Sequence, residues 1–242
     1  MTWFLAAMAD QPTVLLTGAS SGIGLALARR LVGDCQLILS GRRSAADLEG
    51  QLPAGVPYVQ ADFTDATAAV DRIEQAVADL PSLDRLIVNA GTGYYRRVDQ
   101  EDAGSIRDTL DVNLLAPVLL AHRLAPRLLA ASGSVVFVGS VAHRGSANMP
   151  SYAASKAGLA GLARSLASEW QGRIKVQIVH PGPTRTAMHE RAGYSTGGWQ
   201  ERLFFSADAM ADEILRFMRS DRLSTTIMFG AGLRRLVSGA GR

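Results

Sequence analysis

The chain has little of what metal and disulfide chemistry requires: one cysteine, Cys35, and four histidines among 242 residues. A single cysteine excludes an internal disulfide, and the histidines do not have the spacing of a metal site. Cys35 lies in an apolar, strand-like run, which is typical of a small core residue. We therefore expect no metal. A single cysteine does not indicate in which cellular compartment the protein works, and we take the cytoplasm as the default.

The net charge of the chain is also small, and its apolar runs are short. The formal net charge is +3, which gives no indication of a nucleic-acid partner. No run reaches the roughly 18 uninterrupted apolar residues of a membrane-spanning helix. Residues 1–11 read as an N-terminal extension, too short and without the basic start of a signal peptide. Residues 231–242 read as a basic and apolar C-terminal tail.

Short apolar runs alternate with helix-like segments through residues 12–230. This alternation predicts an α/β fold, a single-domain, Rossmann-like, doubly wound parallel sheet of about seven strands with helices on both faces. A long connection, 183–206, is typical of a substrate loop. We expect strands at 13–17, 36–40, 58–60, 85–89, 134–139, 175–179 and 225–229. We expect helices near 22–32, 66–79, 102–130, 151–171 and 207–219, with a weak one near 44–50.

A glycine-rich segment, 17–24, directly follows the first expected strand and opens a helix. Its spacing, G-x-x-x-G-x-G, lets the backbone turn tightly and approach a pyrophosphate at the helix N-terminus. Glycine-rich turns are common and are weak evidence alone, but after the first strand of an α/β pattern they indicate dinucleotide binding. The residues expected at the cofactor are Gly18, Ser20, Ser21, Gly22, Ile23 and Gly24.

The end of the second expected strand bears on the choice of cofactor. Enzymes that use NAD(H) usually place Asp or Glu there to bind the ribose 2′-hydroxyl, but this chain reads Ser40-Gly41-Arg42-Arg43. With no carboxylate and two guanidinium groups, the segment suits the 2′-phosphate of NADP(H). The alternative is a pair of solvated arginines after a turn. The sequence thus predicts Arg42 and Arg43 at the cofactor and NADP(H) preferred over NAD(H).

Further candidates follow the third, fourth and sixth expected strands, at the edge where open α/β sheets bind ligands. Asp62 is placed either to accept a hydrogen bond from the adenine amino group or to cap a helix beginning near Thr64. Small residues after the fourth strand allow the backbone to approach the cofactor, and those after the sixth are placed to hold its carboxamide. The candidates in these segments are Asp62, Asn89, Ala90, Gly91, Pro181, Gly182, Thr184 and Thr186.

Tyr152 and Lys156 are the most specific pair in the sequence. On a helix, residues i and i+4 share a face, so the phenol and the ammonium point the same way. A neighbouring Lys⁺, a positive nicotinamide and a helix N-terminus all favour the phenolate of a tyrosine whose ordinary pKa is about 10. By itself the pair usually means a surface tyrosine and a solvated lysine.

Two other side chains strengthen the case for catalysis at Tyr152. Ser140 ends the fifth strand, from which its hydroxyl can reach the same substrate oxygen. Asn113 lies in a long helix with Pro117, which has no N–H, so the carbonyl of Asn113 loses its helical partner and is freed to bind a water. We expect a kink there; the alternative is a tolerated proline in a bent helix.

Taken together, these motifs make the chain similar to the short-chain dehydrogenase/reductase family from about residue 12 to 190. The resemblance implies Tyr152 as general acid/base, Ser140 as the group that holds the substrate oxygen and Asn113 as the residue that holds a relay water. It implies that Lys156 binds the nicotinamide ribose, as part of a cofactor site that includes Tyr152, and lowers the tyrosine pKa. It also implies a homodimer or homotetramer formed through the long helices.

The chain departs from the family pattern at three places. Val88 stands where the family commonly has a first asparagine before Asn89-Ala-Gly91, and the spacing from Ser140 to Tyr152 is one residue shorter than usual. The least familiar part is the C-terminal third, which carries the usual tetramer contacts.

The leading hypothesis is an NADP(H)-dependent reductase or dehydrogenase of a small-molecule carbonyl or alcohol. The alternatives are a non-catalytic NADP(H)-binding regulatory or scaffold protein and a membrane-surface reductase that uses the C-terminal tail. Arg96 or Arg97 are candidates to attract an anionic substrate, with surface arginines as the simpler interpretation. The expected lining of an apolar pocket is Tyr94, Tyr95, Met149, Trp199, Phe204 and Phe205, with His143 as a further candidate, whereas His122, His180 and His189 are expected to be structural or on the surface.

Overall fold

The computed structural model of the protein describes residues 11–185 and 204–228, and a parallel seven-stranded sheet forms its centre. The strands are β1 (Thr13–Thr17), β2 (Gln36–Gly41), β3 (Tyr58–Gln60), β4 (Arg85–Val88), β5 (Ser134–Val138), β6 (Lys175–Pro181) and β9 (Ser224–Ile227). They are arranged in the order β3-β2-β1-β4-β5-β6-β9. Two further strands, β7 (Thr184–Arg185) and β8 (Phe205–Ser206), pair with each other and were not expected from the sequence.

Helices cover both faces of the sheet. They are α1 (Gly22–Leu31), α2 (Ala66–Ala76), α3 (Ala103–Leu110), α4 (Ala116–Ala130), α5 (Pro150–Glu169) and α6 (Ala207–Met218). One hydrophobic cluster joins the sheet to α2, α4 and α5, and a second joins it to α1 and α6. The doubly wound parallel sheet predicted from the sequence is therefore confirmed. The weak helix expected near 44–50 is a single 3₁₀ turn, Ala46–Leu48.

The central strand β5 explains why the sheet must be covered on both sides. All of its residues are buried. Val135 and Phe137 belong to the cluster on one face, whereas Val136 and Val138 belong to the cluster on the other. Because successive side chains of a strand point to opposite faces, an uninterrupted apolar strand needs a helical layer on each face.

The expected helix over residues 102–130 is interrupted. It consists of α3 and α4 with a π turn, Asp111–Leu115, between them. The main-chain N–H of Ala116 donates to the carbonyl oxygen of Asp111, which is the wider spacing of a π turn. Pro117 then lies in the first turn of α4, where the absence of an N–H is tolerated. A kink was expected near Pro117; the structure has a π turn directly before this proline, and Asn113 lies inside that turn.

Several segments discussed above lie outside the described residues. These are residues 1–10 of the expected N-terminal extension, residues 186–203 of the expected substrate loop with Thr186, His189 and Trp199, and the tail 231–242. Among the residues that are described, no helix is long and apolar enough to cross a membrane.

Candidate active site

A cleft of about 450 Å³ opens at the edge of the sheet where β1, β2, β4, β5 and β6 end. Loop residues that follow these strands line it, because parallel strands bring all their carboxyl ends to the same edge. Of the predicted site residues, the cleft is lined by Gly18, Ser20, Ser21, Gly22, Ile23, Arg42, Arg43, Asp62, Asn89, Ala90, Gly91, Ser140, Tyr152, Lys156, Pro181, Gly182 and Thr184. Gly24 and Asn113 lie directly behind this lining, as their contacts below show.

The glycine-rich loop is packed too tightly for side chains at two positions. A Cβ on Gly24 would lie 2.1 Å from the carbonyl oxygen of Gly18, and Gly18 itself has φ +68°. A Cβ on Gly18 would lie 2.7 Å from the Cα of Ala90. Since these neighbours are main-chain atoms, they cannot move aside cheaply. The loop is thus held against the segment after β4.

Asn89 was predicted only as a small residue that lets the backbone approach the cofactor. In the structure its side chain also holds the glycine-rich loop in place. Its side-chain amide donates to the carbonyl oxygens of Thr17 and Gly18, each at 3.1 Å. The buried hydroxyl of Thr17 accepts hydrogen bonds from the main-chain N–H groups of Asn89 at 3.1 Å and Ala90 at 3.2 Å. Sequence reasoning missed Thr17, whose only signal is a hydroxyl at the last position of an otherwise apolar strand.

The two arginines after β2 differ in their surroundings. The guanidinium of Arg43 donates to the main-chain oxygen of Asp47 and to Gln51 Oε1 at 3.4 Å. Arg42 is exposed at the cleft, and no hydrogen bond or ion pair of its guanidinium is found within the described parts of the chain. Their carbonyl oxygens accept hydrogen bonds from β3, from Gln60 Nε2 to Arg42 and from the Tyr58 hydroxyl to Arg43. Arg42 is therefore the arginine available to a ligand.

Asp62 also lines the cleft, although its carboxylate already has partners. Its Oδ1 accepts hydrogen bonds from the main-chain N–H and the hydroxyl of Thr64, at 3.1 and 3.0 Å. The helix cap that was the alternative role for Asp62 is provided by Asp65, which accepts a hydrogen bond from the N–H of Ala68.

Tyr152 and Ser140 meet at the far end of the cleft. Both residues line the cleft, and the phenol of Tyr152 is only 6% exposed. Burial raises the pKa of Tyr152, and the nearby Ser140 side chain lowers it by less. Burial was not among the influences considered from the sequence, where Lys156, a positive nicotinamide and the helix N-terminus were expected to favour the phenolate; desolvation of the phenolate acts against them.

Lys156 lies one helical turn beyond Tyr152 and is buried. Its Nζ lies 5.8 Å from the centroid of the Tyr152 ring and donates to the carbonyl oxygen of Val138 at 3.0 Å. Burial lowers the pKa of Lys156 to about 8, so the ammonium is still the main form at neutral pH. Of its three N–H donors, the described residues satisfy only this one.

Asn113 is fully buried, and its side chain joins two segments of the site. Its Oδ1 accepts from the main-chain N–H of Thr92 at 2.9 Å. Its Nδ2 donates to the carbonyl oxygen of Thr92 at 2.7 Å and to the Ser155 hydroxyl at 3.0 Å. Because Ser155 lies on the same helix as Tyr152, Asn113 connects that helix to the segment that follows β4.

Gly93 is a second residue that sequence reasoning missed. A Cβ at this position would lie 2.6 Å from Cδ2 of Tyr152, so the ring packs directly on the backbone. The only sequence signal is the second glycine in Gly91-Thr-Gly93.

The last wall of the cleft comes from the end of β6. Gly182 donates its N–H to the carbonyl oxygen of Ile227 at 2.8 Å, and the Thr184 hydroxyl donates to the carbonyl oxygen of Gly182 at 3.0 Å. These bonds fix the turn after Pro181. Thr186, predicted to hold the carboxamide, lies outside the described residues.

The expected substrate pocket is present only in part. Tyr94, Tyr95 and Met149 line the cleft, whereas Phe204, Phe205 and His143 are not among its lining residues. Phe205 belongs instead to the core beneath α6, since β8 leads it inward. Arg96 and Arg97 are not in the lining either; they form ion pairs with Asp102 at 2.6 Å and Asp99 at 3.1 Å. Both match the simpler interpretation of surface arginines.

Comparison with known proteins identifies the family. The family model for short chain dehydrogenases matches residues 12–195. A short-chain dehydrogenase from Sphingobium yanoikuyae, solved in complex with NADPH, superimposes with a TM-score of 0.79 at 31% identity, over 95% of this chain and 93% of that chain. The chain therefore belongs to the short-chain dehydrogenase family of oxidoreductases.

Curated relatives within this family have diverse names. The Cyclic-di-GMP-binding biofilm dispersal mediator protein of Escherichia coli (strain K12) is 35% identical over 180 residues, which is 72% of this chain and 73% of the relative. The 2-dehydro-3-deoxy-D-gluconate 5-dehydrogenase of Pseudoalteromonas atlantica is 32% identical over 179 residues, covering 69% and 70%.

Proposed function

We propose that the protein is an NADP(H)-dependent oxidoreductase that transfers a hydride between the nicotinamide and a carbonyl or alcohol substrate. In this proposal Tyr152 is the general acid/base and acts with Ser140, Lys156 and Asn113. The observation that carries it is that Tyr152, Ser140 and the buried ammonium of Lys156 line the same cleft as the glycine-rich loop.

The protein's own groups account for the proton transfer. A carbonyl oxygen between Ser140 and Tyr152 accepts a hydrogen bond from the serine and receives the phenolic proton. The chemistry that NADPH supplies when bound is the hydride for the carbonyl carbon. Since burial keeps the pKa of Tyr152 high, the phenol is protonated at neutral pH and ready for reduction. In the oxidation direction, the same group must first lose its proton.

The cleft fits a nicotinamide dinucleotide. The loop at Gly18–Ile23 lies at a helix N-terminus, where backbone N–H groups suit a pyrophosphate. At the other end, the ammonium of Lys156 retains donors for ribose hydroxyls. The same charge stabilises a phenolate on Tyr152, and the carbonyl of Asn113, one helical turn before Pro117, would hold a water that relays the proton.

Turnover is tested with a screen of ketones, aldehydes and quinones, following NADPH oxidation at 340 nm with NADH in parallel. We expect measurable rates with at least one carbonyl class and faster turnover with NADPH. NADPH binding with no turnover of any compound would reject the enzyme hypothesis in favour of a binding protein.

Cofactor preference is tested by replacing the two arginines separately. Arg42→Ala is expected to raise the KM for NADPH about ten-fold or more and leave that for NADH within about two-fold, because a charge-assisted bond to the 2′-phosphate contributes about 1.5–3 kcal/mol. Arg43→Ala is the matched control. Its guanidinium already binds Asp47 and Gln51, so we expect a smaller change. If Arg42→Ala changes the KM for NADPH and the KM for NADH equally, Arg42 does not bind the 2′-phosphate.

A second candidate function is a non-catalytic regulatory protein that binds NADP(H). It is favoured by the relative named a Cyclic-di-GMP-binding biofilm dispersal mediator protein. The contacts among Tyr152, Ser140 and Lys156 favour the enzyme, since binding alone requires no proton donor.

The remaining proposals concern the domain boundaries, the cellular compartment and the oligomeric state. We infer a catalytic domain over residues 12–230 that works in the cytoplasm as a homodimer or homotetramer on a small molecule, with its substrate loop at 183–206. Residues 1–11 and 231–242 are proposed as appended segments. Co-sedimentation with liposomes, with and without residues 231–242, tests whether the tail binds a membrane surface.

A further inference from the structure

Two histidines from different parts of the chain stack on each other behind the catalytic cleft. His143 lies in the 3₁₀ turn Val141–Arg144, and His180 lies near the end of β6. Their ring centroids are 3.9 Å apart, and the ring planes are inclined by 25°. No pattern in the sequence predicted that these two rings would meet.

Both rings direct the same atom at the same acceptor. Nδ1 of His143 lies 2.7 Å from the carbonyl oxygen of Ser140, and Nδ1 of His180 lies 3.3 Å from it. The main-chain N–H of His143 also donates to this oxygen, at 3.1 Å. The carbonyl of Ser140 thus has three donors around it, of which the His143 ring is the nearest.

These distances predict which nitrogen of each ring carries a proton. A carbonyl oxygen only accepts hydrogen bonds, so each Nδ1 must carry a proton to bind it. Each neutral ring then has its proton on Nδ1 and its lone pair on Nε2. In free histidine the opposite tautomer is the more common one, so hydrogen bonds from both rings to Ser140 require the less common tautomer of each.

The environment of His180 supports a neutral ring. His180 is 3% exposed, and burial lowers its pKa to about 4, with His143, Arg144 and Lys156 lowering it further and the hydrogen bond to Ser140 opposing them. A Cβ on Gly139 would lie 2.7 Å from Nδ1 of His180, so the ring is pressed against the backbone that leads into Ser140.

The side chain of Ser140 has contacts of its own. Its Oγ accepts from the main-chain N–H of Ala142 at 3.2 Å, and it lies close enough to the phenol of Tyr152 to lower the pKa of that phenol. The position of this hydroxyl relative to Tyr152 therefore depends on where the backbone of Ser140 lies. The imidazoles contact that backbone and are not among the residues that line the cleft.

We propose that His143 and His180 are positioning residues that hold Ser140 in place by donating hydrogen bonds from Nδ1 to its main-chain carbonyl oxygen. The proposal rests on the proposed function, in which Ser140 binds the substrate oxygen. The pair acts only through Ser140. A displacement of the serine by a fraction of an ångström is enough to weaken both its bond to the substrate oxygen and its effect on the phenol of Tyr152.

The first test requires no activity. Long-range ¹H–¹⁵N spectra of the ¹⁵N-histidine-labelled protein report the tautomer of each ring, and His143→Asn and His180→Asn assign the signals. We expect both rings in the Nδ1–H form at neutral pH. If both carry the proton on Nε2, the proposal is overturned whatever the enzyme turns over.

The second test compares His143→Leu with His143→Asn. His143 is half-buried, so both variants are expected to fold, and an asparagine amide places an N–H near the position of Nδ1. We expect His143→Leu to lower kcat about ten-fold with the KM for NADPH within about two-fold, which corresponds to one lost positioning bond. His143→Asn should restore most of kcat. His122→Leu, at an exposed position on α4, is the control for removing an imidazole.

The pH profile separates positioning from a general loss of structure. The nearby Ser140 side chain lowers the pKa of Tyr152, so a displaced serine should raise that pKa. In the reduction direction, activity falls as pH rises through this pKa, and in His143→Leu the fall should move to higher pH. An unshifted profile with unchanged kcat would refute the role of His143 in positioning.

The two hypotheses fail in different ways. If the wild-type protein binds NADPH and reduces nothing, the proposed function fails, and the tautomers still decide whether the pair holds Ser140. If the wild-type protein is active and His143→Leu has the same kcat as His122→Leu, the proposed function is supported and the positioning proposal is rejected.

Discussion

Replacing Tyr152 with phenylalanine is expected to lower turnover by about 10³-fold, within the range that a general acid/base contributes. The change removes only the phenolic hydroxyl. The ring stays on the backbone of Gly93, where the packing leaves no room for a methyl group. We therefore expect NADPH to bind as tightly as in the wild-type protein, within about two-fold.

Turnover of the best substrate from the screen and fluorescence titration with NADPH provide the two measurements. Tyr94→Phe is the matched comparison, since Tyr94 also lines the cleft and its hydroxyl has one long bond of 3.4 Å to Asp108. The turnover of Tyr94→Phe should fall by less than about ten-fold. Full activity of Tyr152→Phe would contradict the assignment of the proton donor.

Replacing Gly24 with alanine is expected to weaken NADPH binding by about 30–100-fold. Inside a helix this substitution ordinarily stabilises a protein by up to about 1 kcal/mol. Here the new Cβ would lie 2.1 Å from the carbonyl oxygen of Gly18, so the loop and the start of α1 must separate. Overpacking of this kind costs about 1–3 kcal/mol, and the cost falls on the loop that would bind the pyrophosphate.

Gly161→Ala is the control for this variant. Gly161 is also helical, and a Cβ there would meet only the end of the Arg164 side chain at 4.0 Å. We expect Gly161→Ala to keep its affinity for NADPH and to unfold at the same or a slightly higher temperature. The affinities come from fluorescence titration and the midpoints from thermal unfolding. If Gly24→Ala binds NADPH normally, the loop tolerates a side chain and its proposed contact with the cofactor is not as close as we infer.

The two arginines after β2 illustrate the limit of sequence analysis at the cofactor site. Adjacent guanidinium groups in Arg42-Arg43 predicted that both residues lie at the 2′-phosphate of the cofactor. In the structure Arg43 is occupied by Asp47 and Gln51, two residues of the following turn. A local turn of this kind has no period or motif, so nothing in the sequence distinguished the two side chains.

The proposed proton donor, Tyr152, illustrates a different limit. Helical spacing put Tyr152 and Lys156 on one face, and the structure brings them together at the cleft. The groups named from the sequence all favour the phenolate of Tyr152, whereas burial, which depends on the packing of the whole chain around the phenol, raises its pKa. Charges can be read from a sequence, whereas desolvation cannot.

The sequence by itself determined the parallel sheet, its helical layers and the edge at which the site lies. Apolar runs of strand length separated by helical patterns allow few other arrangements. Only the tertiary structure decided which side chains are free and which are held, including the bracing of the glycine-rich loop by Asn89 and the meeting of His143 with His180 at Ser140. Those contacts join residues far apart in the chain, and their geometry is set by the packing of complete elements rather than by any local pattern.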